Sequence, residues 1–295
     1  MTTSKLVLIT GGSRGLGFAA ARKFARAGFR VVLTSRSATR ADEAATALRL
    51  ETPEAVIRGM ALDLSSLGSV RAFAAELAAQ EDALHVLVAN AANIPNAKVP
   101  EYTAEGFETT FATNHLGHFL LTTELLPRLS AAADRNGEAR VVVVSSRLHQ
   151  PKSMGPEVRF DFSDPNLTRN YRPMVAYKNS KLANLWFTYE FNRRVAGSGV
   201  TANALCPGFV PATITDEAHG LRRFVFRHVL SRLPFARMLD EATDTYLFAG
   251  THTALKGVGG KFFAEEREVH SSLESYDEDK ARGLWELSEE LVRSG

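Results

Sequence analysis

Seven short runs of apolar, largely β-branched residues recur along the chain: Leu6–Thr10, Arg30–Ser35, Ala55–Leu62, His85–Ala89, Ala139–Ser145, Thr201–Leu205 and Gly260–Ala264. Most are apolar at consecutive rather than alternate positions, the pattern of parallel strands covered on both faces. Between them, helical stretches are expected at Phe18–Ala27, Ala41–Arg49, from near Ser65–Ser69, from about Thr103 into Leu129, around Val175–Asn184, and over Ala242–Leu255 and Asp277–Val292. Strands alternating with helices predict an α/β fold with a doubly wound, mainly parallel seven-stranded sheet flanked by helices. No repeat, low-complexity tract or linker interrupts the alternation, so one domain over residues 1–295 is expected. One segment stands apart. In Gly220–Asp240, Leu221, Phe224, Val225, Val229, Leu230 and Leu233 fall on one helical face, while Arg222, Arg223, Arg227, Arg232 and Arg237 crowd elsewhere. It reads as an amphipathic lid over about residues 211–240, its arginines forming a solvated back or meeting an acidic substrate or a membrane surface.

The first strand runs into Gly11-Gly12-Ser13-Arg14-Gly15-Leu16-Gly17 and then an alanine-rich helix. Strand, glycine turn and helix is the context in which glycines mean dinucleotide binding in a Rossmann-like sheet. Gly11 allows the tight turn, Gly15 lets a pyrophosphate approach the backbone, and Gly17 lets helix and strand pack closely. The phosphates then meet the free amides and positive end of the helix. At the end of the second strand an NAD enzyme places an acid against the ribose 2′-hydroxyl. This chain has Ser35 followed by Arg36, with Arg14 in the loop. Two guanidiniums clamp a 2′-phosphate that a carboxylate would repel, so NADP(H) is the expected cofactor. Asp63-Leu64 ends the third strand, where Asp63 can accept from an adenine amino group, cap the following helix, or do both. After the fourth strand, the small residues of Asn90-Ala91-Ala92 let the backbone lie against the adenosine ribose.

The chemistry is expected at Val175–Asn184, where Tyr177 and Lys181 stand one helical turn apart with Ser180 and Asn184 beside them. A phenol with pKa near ~10 is a poor acid–base group at neutral pH, and an ammonium one turn away favours the phenolate. A tyrosine so tuned can protonate a carbonyl oxygen or deprotonate an alcohol. Ser145 and Ser146 close the fifth strand, at the carboxyl edge where such sheets place their chemistry. A serine there can hold a substrate carbonyl beside Tyr177. The connection Arg147–Met174 carries Pro151, Pro156, Pro165 and Pro173. Leu148, His149, Met154 and Tyr171 in it are either pocket walls or ordinary loop packing. His115 and His118 are spaced to ligate a metal, but no third ligand is in view; they read as packed helix histidines, and no metal is expected.

Composition narrows the partners. Lys and Arg number 35 against 33 Asp and Glu, a net charge of +2 that gives a nucleic-acid partner no support. A single cysteine, Cys206, excludes an internal disulfide and reads as a small buried hydrophobe. The amino-terminal run Leu6–Ile9 is too short for a signal peptide or an integral membrane segment. A cytoplasmic, water-soluble protein is expected.

Taken in order, Thr10–Gly17, Asp63, Asn90, Asn114, Ser146, Tyr177, Lys181 and Pro207-Gly208 resemble the short-chain dehydrogenase/reductase family over nearly the whole chain. Thr113–Leu121 and Ala176–Leu185 resemble its retinol-dehydrogenase-like and protochlorophyllide-reductase-like branch. The resemblance implies that Ser146, rather than Ser145, is the catalytic serine, leaving Ser145 as a local backbone hydrogen-bonder. It implies that Lys181 also binds the nicotinamide ribose and that Asn114 holds a water linking Lys181 to solvent. Asn90-Ala91-Ala92 matches the family's Asn-Ala-Gly element, with Ala92 in place of glycine. Pro207-Gly208-Phe209-Val210 would pack beside the nicotinamide, its amides reaching the carboxamide and Phe209 facing the substrate. The threonine that normally follows is replaced by Ala212, and Thr213, one residue late, is the candidate to take its contact. Relatives of the microsomal retinol type carry an amino-terminal anchor, which is not expected here; the light-dependent reductases have cysteine where this chain has Phe209. A dark carbonyl reductase is therefore expected, acting on a bulky apolar ketone or aldehyde, or the corresponding alcohol, of polyketide, steroid or retinoid-like type. An NADP(H)-sensing protein without turnover and an epimerase or dehydratase on the same scaffold are the alternatives. Quaternary structure stays open between monomer, homodimer and tetramer.

Overall fold

The computed structural model describes residues 4–211 and 237–295. Seven parallel strands, β1 (Leu6–Ile9), β2 (Arg30–Ser35), β3 (Ile57–Ala61), β4 (Val86–Ala89), β5 (Ala139–Val144), β6 (Val200–Cys206) and β7 (Phe262–Ala264), lie in the order β3-β2-β1-β4-β5-β6-β7. Helices α1 (Gly15–Arg26), α2 (Ala38–Glu51), α3 (Leu67–Gln80), α4 (Thr109–Phe111), α5 (Gly117–Glu124), α6 (Leu126–Asn136), α7 (Pro173–Arg194), α8 (Leu239–Thr251) and α9 (Glu278–Ser294) connect or follow them.

The consecutive apolar residues in the strands serve two cores. Leu6 and Leu8 of β1 with Val141 and Val143 of β5 face the layer that includes α3, α5, α7 and α9. Val7, Ile9, Val142 and Val144 face the opposite layer of α1, α2 and α8. A sheet covered on both sides needs no polar face, which is why its strands read as unbroken runs.

An eighth strand, β8 (Arg267–Glu268), pairs antiparallel with β7, so the sheet has eight strands rather than the expected seven. Both β8 residues are charged and exposed, and the turn before it uses Glu265 and Glu266 at φ 55° and 59°. Glycine or asparagine is usual at left-handed turn positions, so the hairpin has no signature in this sequence. The helix expected from Thr103 begins at Thr109, passes through a π-helical turn at Ala112–Leu116, and breaks at Leu125 before Pro127. Of the expected lid, residues 212–236 lie outside the described residues, and α8 starts at Leu239. Thr213 lies outside them as well.

β1 lies between β2 and β4, so the chain leaves it toward opposite edges of the sheet. The crevice at such a switch point, beyond the carboxyl ends of the strands, is where ligands bind in open α/β sheets.

Candidate active site

A cleft of about 1390 Å³ opens at that point. Gly11, Ser13, Arg14, Gly15, Leu16 and Gly17 form its floor, Ser35 and Arg36 one end, and Asp63, Leu64, Asn90, Ala91 and Ala92 a wall. Tyr177 and Lys181 close the other end. The glycine turn can be tested by adding side chains. Gly11 and Gly15 have φ of 63° and 55°, and a Cβ on Gly17 would lie 2.3 Å from the Gly11 carbonyl oxygen. The turn therefore brings the bare first turn of α1 to the cleft, where its amides have no partner within the helix. No acidic side chain occupies that turn. This is a surface suited to a pyrophosphate, so the residues present fit a dinucleotide.

Thr10 is fully buried, and its part is structural rather than a lining one. Its hydroxyl accepts from the amides of Asn90 (2.9 Å) and Ala91 (3.0 Å), which fills both lone pairs. Its proton then goes to His118 Nε2 at 2.8 Å, the nearer of two acceptors. His118 is thereby fixed as the Nδ1–H tautomer, donating to the Asn114 carbonyl at 3.2 Å. Burial lowers the His118 pKa to about 4, and burial also lowers that of its neighbour His115, to about 3. Both histidines are packed and neutral. Asn90 reaches back to the Thr10 carbonyl through Nδ2 (2.8 Å) and accepts from the Tyr246 hydroxyl (3.1 Å). Tyr246 of α8 lines the cleft, and the sequence pattern had not singled it out. Asp63 Oδ1 takes the Ser65 amide (2.9 Å) and hydroxyl (2.6 Å), while the cap of α3 is Ser66. The expected helix cap thus moves three residues along, because the chain makes one more turn before the helix starts.

At the α7 end, four elements meet. Asn114, in the π-helical turn, accepts from the Asn93 amide (2.6 Å) and donates to the Asn93 carbonyl (3.0 Å) and to Ser180 Oγ (2.9 Å). Ser180 in turn donates to the Tyr177 carbonyl at 2.7 Å. Ser145 donates to the Lys181 carbonyl at 2.8 Å, a backbone bond, but to a residue 36 positions away on α7 rather than the local one expected. The Lys181 ammonium donates to the Val144 carbonyl at 3.0 Å and lies 5.5 Å from the centre of the Tyr177 ring. The Ser146 hydroxyl accepts the Leu148 amide at 3.2 Å, and its proximity to the Tyr177 phenol acts to lower that group's pKa.

The electrostatics correct one expectation. Burial raises the Tyr177 pKa above its ordinary value, the thiol of Cys206 adds to the rise, and the Ser146 hydroxyl opposes it. The phenol is therefore held neutral instead of being drawn toward ionisation. Lys181 directs its ammonium at Val144, and its own burial lowers its pKa to about 8. Desolvation is the largest cause of both shifts.

The expected pocket walls lie elsewhere. His149 is fully buried, Met154 is 84% exposed, and neither they nor Leu148, Tyr171 and Phe209 are among the described residues lining the cleft. Burial, with Glu108, Glu101 and Tyr102 nearby, pushes the Tyr171 phenol up to about 12. The cleft extends instead past Ala92 to Asn93, Ile94, Pro95 and Asn96, and to Thr109 and Thr113. Pro207, Gly208 and Val210 follow β6 without lining it; Gly208, at φ 85°, donates to Cys206 Sγ at 3.4 Å. Among the described residues no helix is long and apolar enough to cross a membrane, and no cluster of three or more His, Cys, Asp or Glu side chains could hold a metal.

The short chain dehydrogenase family matches residues 5–155, and the chain belongs to it. The human WW domain-containing oxidoreductase is 38% identical over 293 residues, covering 99% of this chain and 69% of that protein. Mouse retinol dehydrogenase 14 is 38% identical over 302 residues, covering 98% and 86%. Within the family the chain stands in the retinol-dehydrogenase-like branch and is an oxidoreductase. An uncharacterized Mycobacterium paratuberculosis protein matches with a TM-score of 0.73 at 32% identity, over 98% of this chain and 93% of that one. The Pseudomonas aeruginosa RhlG/NADP complex matches in fold, with a TM-score of 0.70 at 24% identity, over 89% and 94%.

Proposed function

We propose that the protein is an NADP(H)-dependent carbonyl reductase whose general acid is Tyr177. The observation carrying this reading is the placement of Tyr177 and Lys181 together in the wall of the cleft that holds the glycine turn, with the Lys181 ammonium 5.5 Å from the centre of the Tyr177 ring. Gly11, Ser13, Gly15, Leu16 and Gly17 would hold the pyrophosphate, Asp63, Leu64 and Asn90–Ala92 the adenosine, and Arg14 and Arg36 a 2′-phosphate. When bound, the nicotinamide supplies the hydride that reduces the carbonyl carbon. Ser146 donates a hydrogen bond to the substrate oxygen. Tyr177, kept protonated by burial, delivers its proton to that oxygen, and Lys181 stabilises the phenolate left behind. Asn114 anchors the far side of α7 through Ser180, and the water relay implied for it belongs to this reading.

The substrate class follows from the cleft's extension past Ile94 and Pro95 and from relatives named for retinol: a bulky, largely apolar aldehyde or ketone, retinoid-like before steroid or polyketide. A cytosolic setting fits the lone buried cysteine. The test is NADPH consumption with all-trans-retinal and a panel of steroid, aromatic and polyketide ketones, run on wild type and Tyr177→Phe. Tyr177→Phe should lose at least about a hundredfold in kcat while still binding NADPH. Turnover within about tenfold of wild type removes Tyr177 from the acid role.

A further inference from the structure

His149 is fully buried, three residues beyond Ser146, and no part of the mechanism above uses it. Its ring is bonded at both ends. Nδ1 lies 2.5 Å from the Ser146 carbonyl oxygen, which also accepts the His149 amide at 3.2 Å. Nε2 lies 3.0 Å from the Ser272 amide nitrogen. A carbonyl only accepts and an amide N–H only donates, so the ring is the neutral Nδ1–H tautomer. Phe262 of β7 meets it edge-on, with ring centres 5.3 Å apart.

The segment at the far end of the ring is itself fastened to the tyrosine helix. The Ser275 hydroxyl donates to the Ser272 carbonyl (2.6 Å), so Ser271 donates to Ser275 (2.6 Å) and Tyr189 of α7 donates to Ser271 (2.7 Å). Trp186, also on α7, donates to the Glu274 carbonyl at 2.9 Å. Ser146 and Tyr177, on separate elements, are thus referred to one frame: Tyr177 directly through α7, Ser146 on one side through the bonds of Val144 and Ser145 to Lys181 and on the other through His149.

We infer that His149 is the positioning residue that sets Ser146 against Tyr177, by clamping the Ser146 carbonyl to the Ser272 amide. The inference rests on the role assigned to Ser146 in the proposed reaction. A displacement of about 1 Å at a reacting group costs on the order of a hundredfold in rate, so a clamp of this kind acts on kcat rather than on cofactor affinity.

Three variants separate clamping from packing. His149→Phe keeps the ring volume and removes both bonds; His149→Gln offers a carbonyl near Nε2 and frees Ser146; His149→Asn offers an N–H near Nδ1 and frees Ser272. With NADPH and all-trans-retinal, or whichever panel ketone wild type turns over, the Phe and Gln variants should each lose about tenfold or more in kcat, with NADPH affinity within about twofold. Hydrogen exchange adds a readout that needs no turnover: the Ser272 amide should exchange faster in the Phe and Asn variants and stay protected in the Gln variant. Wild-type kcat in the Gln variant, or an unchanged Ser272 amide in the Asn variant, overturns the clamp; both remain readable if His149→Phe fails to fold. Absence of wild-type turnover on the whole panel sinks the reductase reading instead, and the exchange data then judge the clamp alone.

Discussion

At the β2 end of the cleft, Ser35, Arg36 and Arg40 follow one another within six residues, and both arginines are exposed. At the α7 end, Asn114, Ser146, Tyr177 and Lys181 come from three separate stretches of the chain, and Asn114 and Lys181 are almost wholly buried. Under the proposed reading, the first end should change its cofactor preference through one exposed side chain, Arg36. At the second, Asn114 and Lys181 also tie one backbone segment to another, Asn114 through Asn93 and Ser180 and Lys181 through the Val144 carbonyl. Recognition of a charge tolerates mobile, solvated partners, whereas proton transfer needs groups already in place.

Substitutions test that contrast from both sides. The largest effect on stability is expected between the two ends, at Thr10, whose hydroxyl serves two amides and His118 at once. Thr10→Val should destabilise the fold by roughly 2–4 kcal/mol, since buried donors lose their acceptor. Chemical unfolding measures this, and a change below about 0.5 kcal/mol would show that the three bonds do not hold β1 to the end of β4 and to α5.

Acid should find the same region. His118 and His115 have pKa values near 4 and 3 in the fold against the ordinary 6.5, so between these limits the unfolded chain binds more protons. Their contribution is fully present above pH 6.5 and is lost as pH falls toward 4. By pH 5 the loss should reach roughly 2 kcal/mol per histidine. Urea unfolding at pH 7 and pH 5 reads it directly; His118→Gln should flatten part of the slope, and equal stabilities at the two pH values would refute the assignment.

The smallest structural effect is expected at Arg36. Arg36→Asp should leave melting unchanged and lower the NADPH-over-NADH preference in kcat/KM by roughly 10- to 100-fold, the worth of a charge-assisted contact. An unaltered ratio would discard the 2′-phosphate reading and erase the contrast between the two ends.

What could be read along the chain was what neighbours in sequence decide. Unbroken apolar runs gave the parallel strands, the glycines of Gly11–Gly17 gave the turn, and the four-residue spacing of Tyr177 and Lys181 gave their shared helix. These depend on backbone sterics and helical period, which act over a few residues. The bond from Thr10 to His118 spans 108 positions, that from Tyr246 to Asn90 spans 156, and that from Ser272 to His149 spans 123. No periodicity encodes such meetings. The sign of the Tyr177 shift is of the same kind. Sequence places a cation one turn away, but only packing determines how much water the phenol loses and that the ammonium is directed at the Val144 carbonyl.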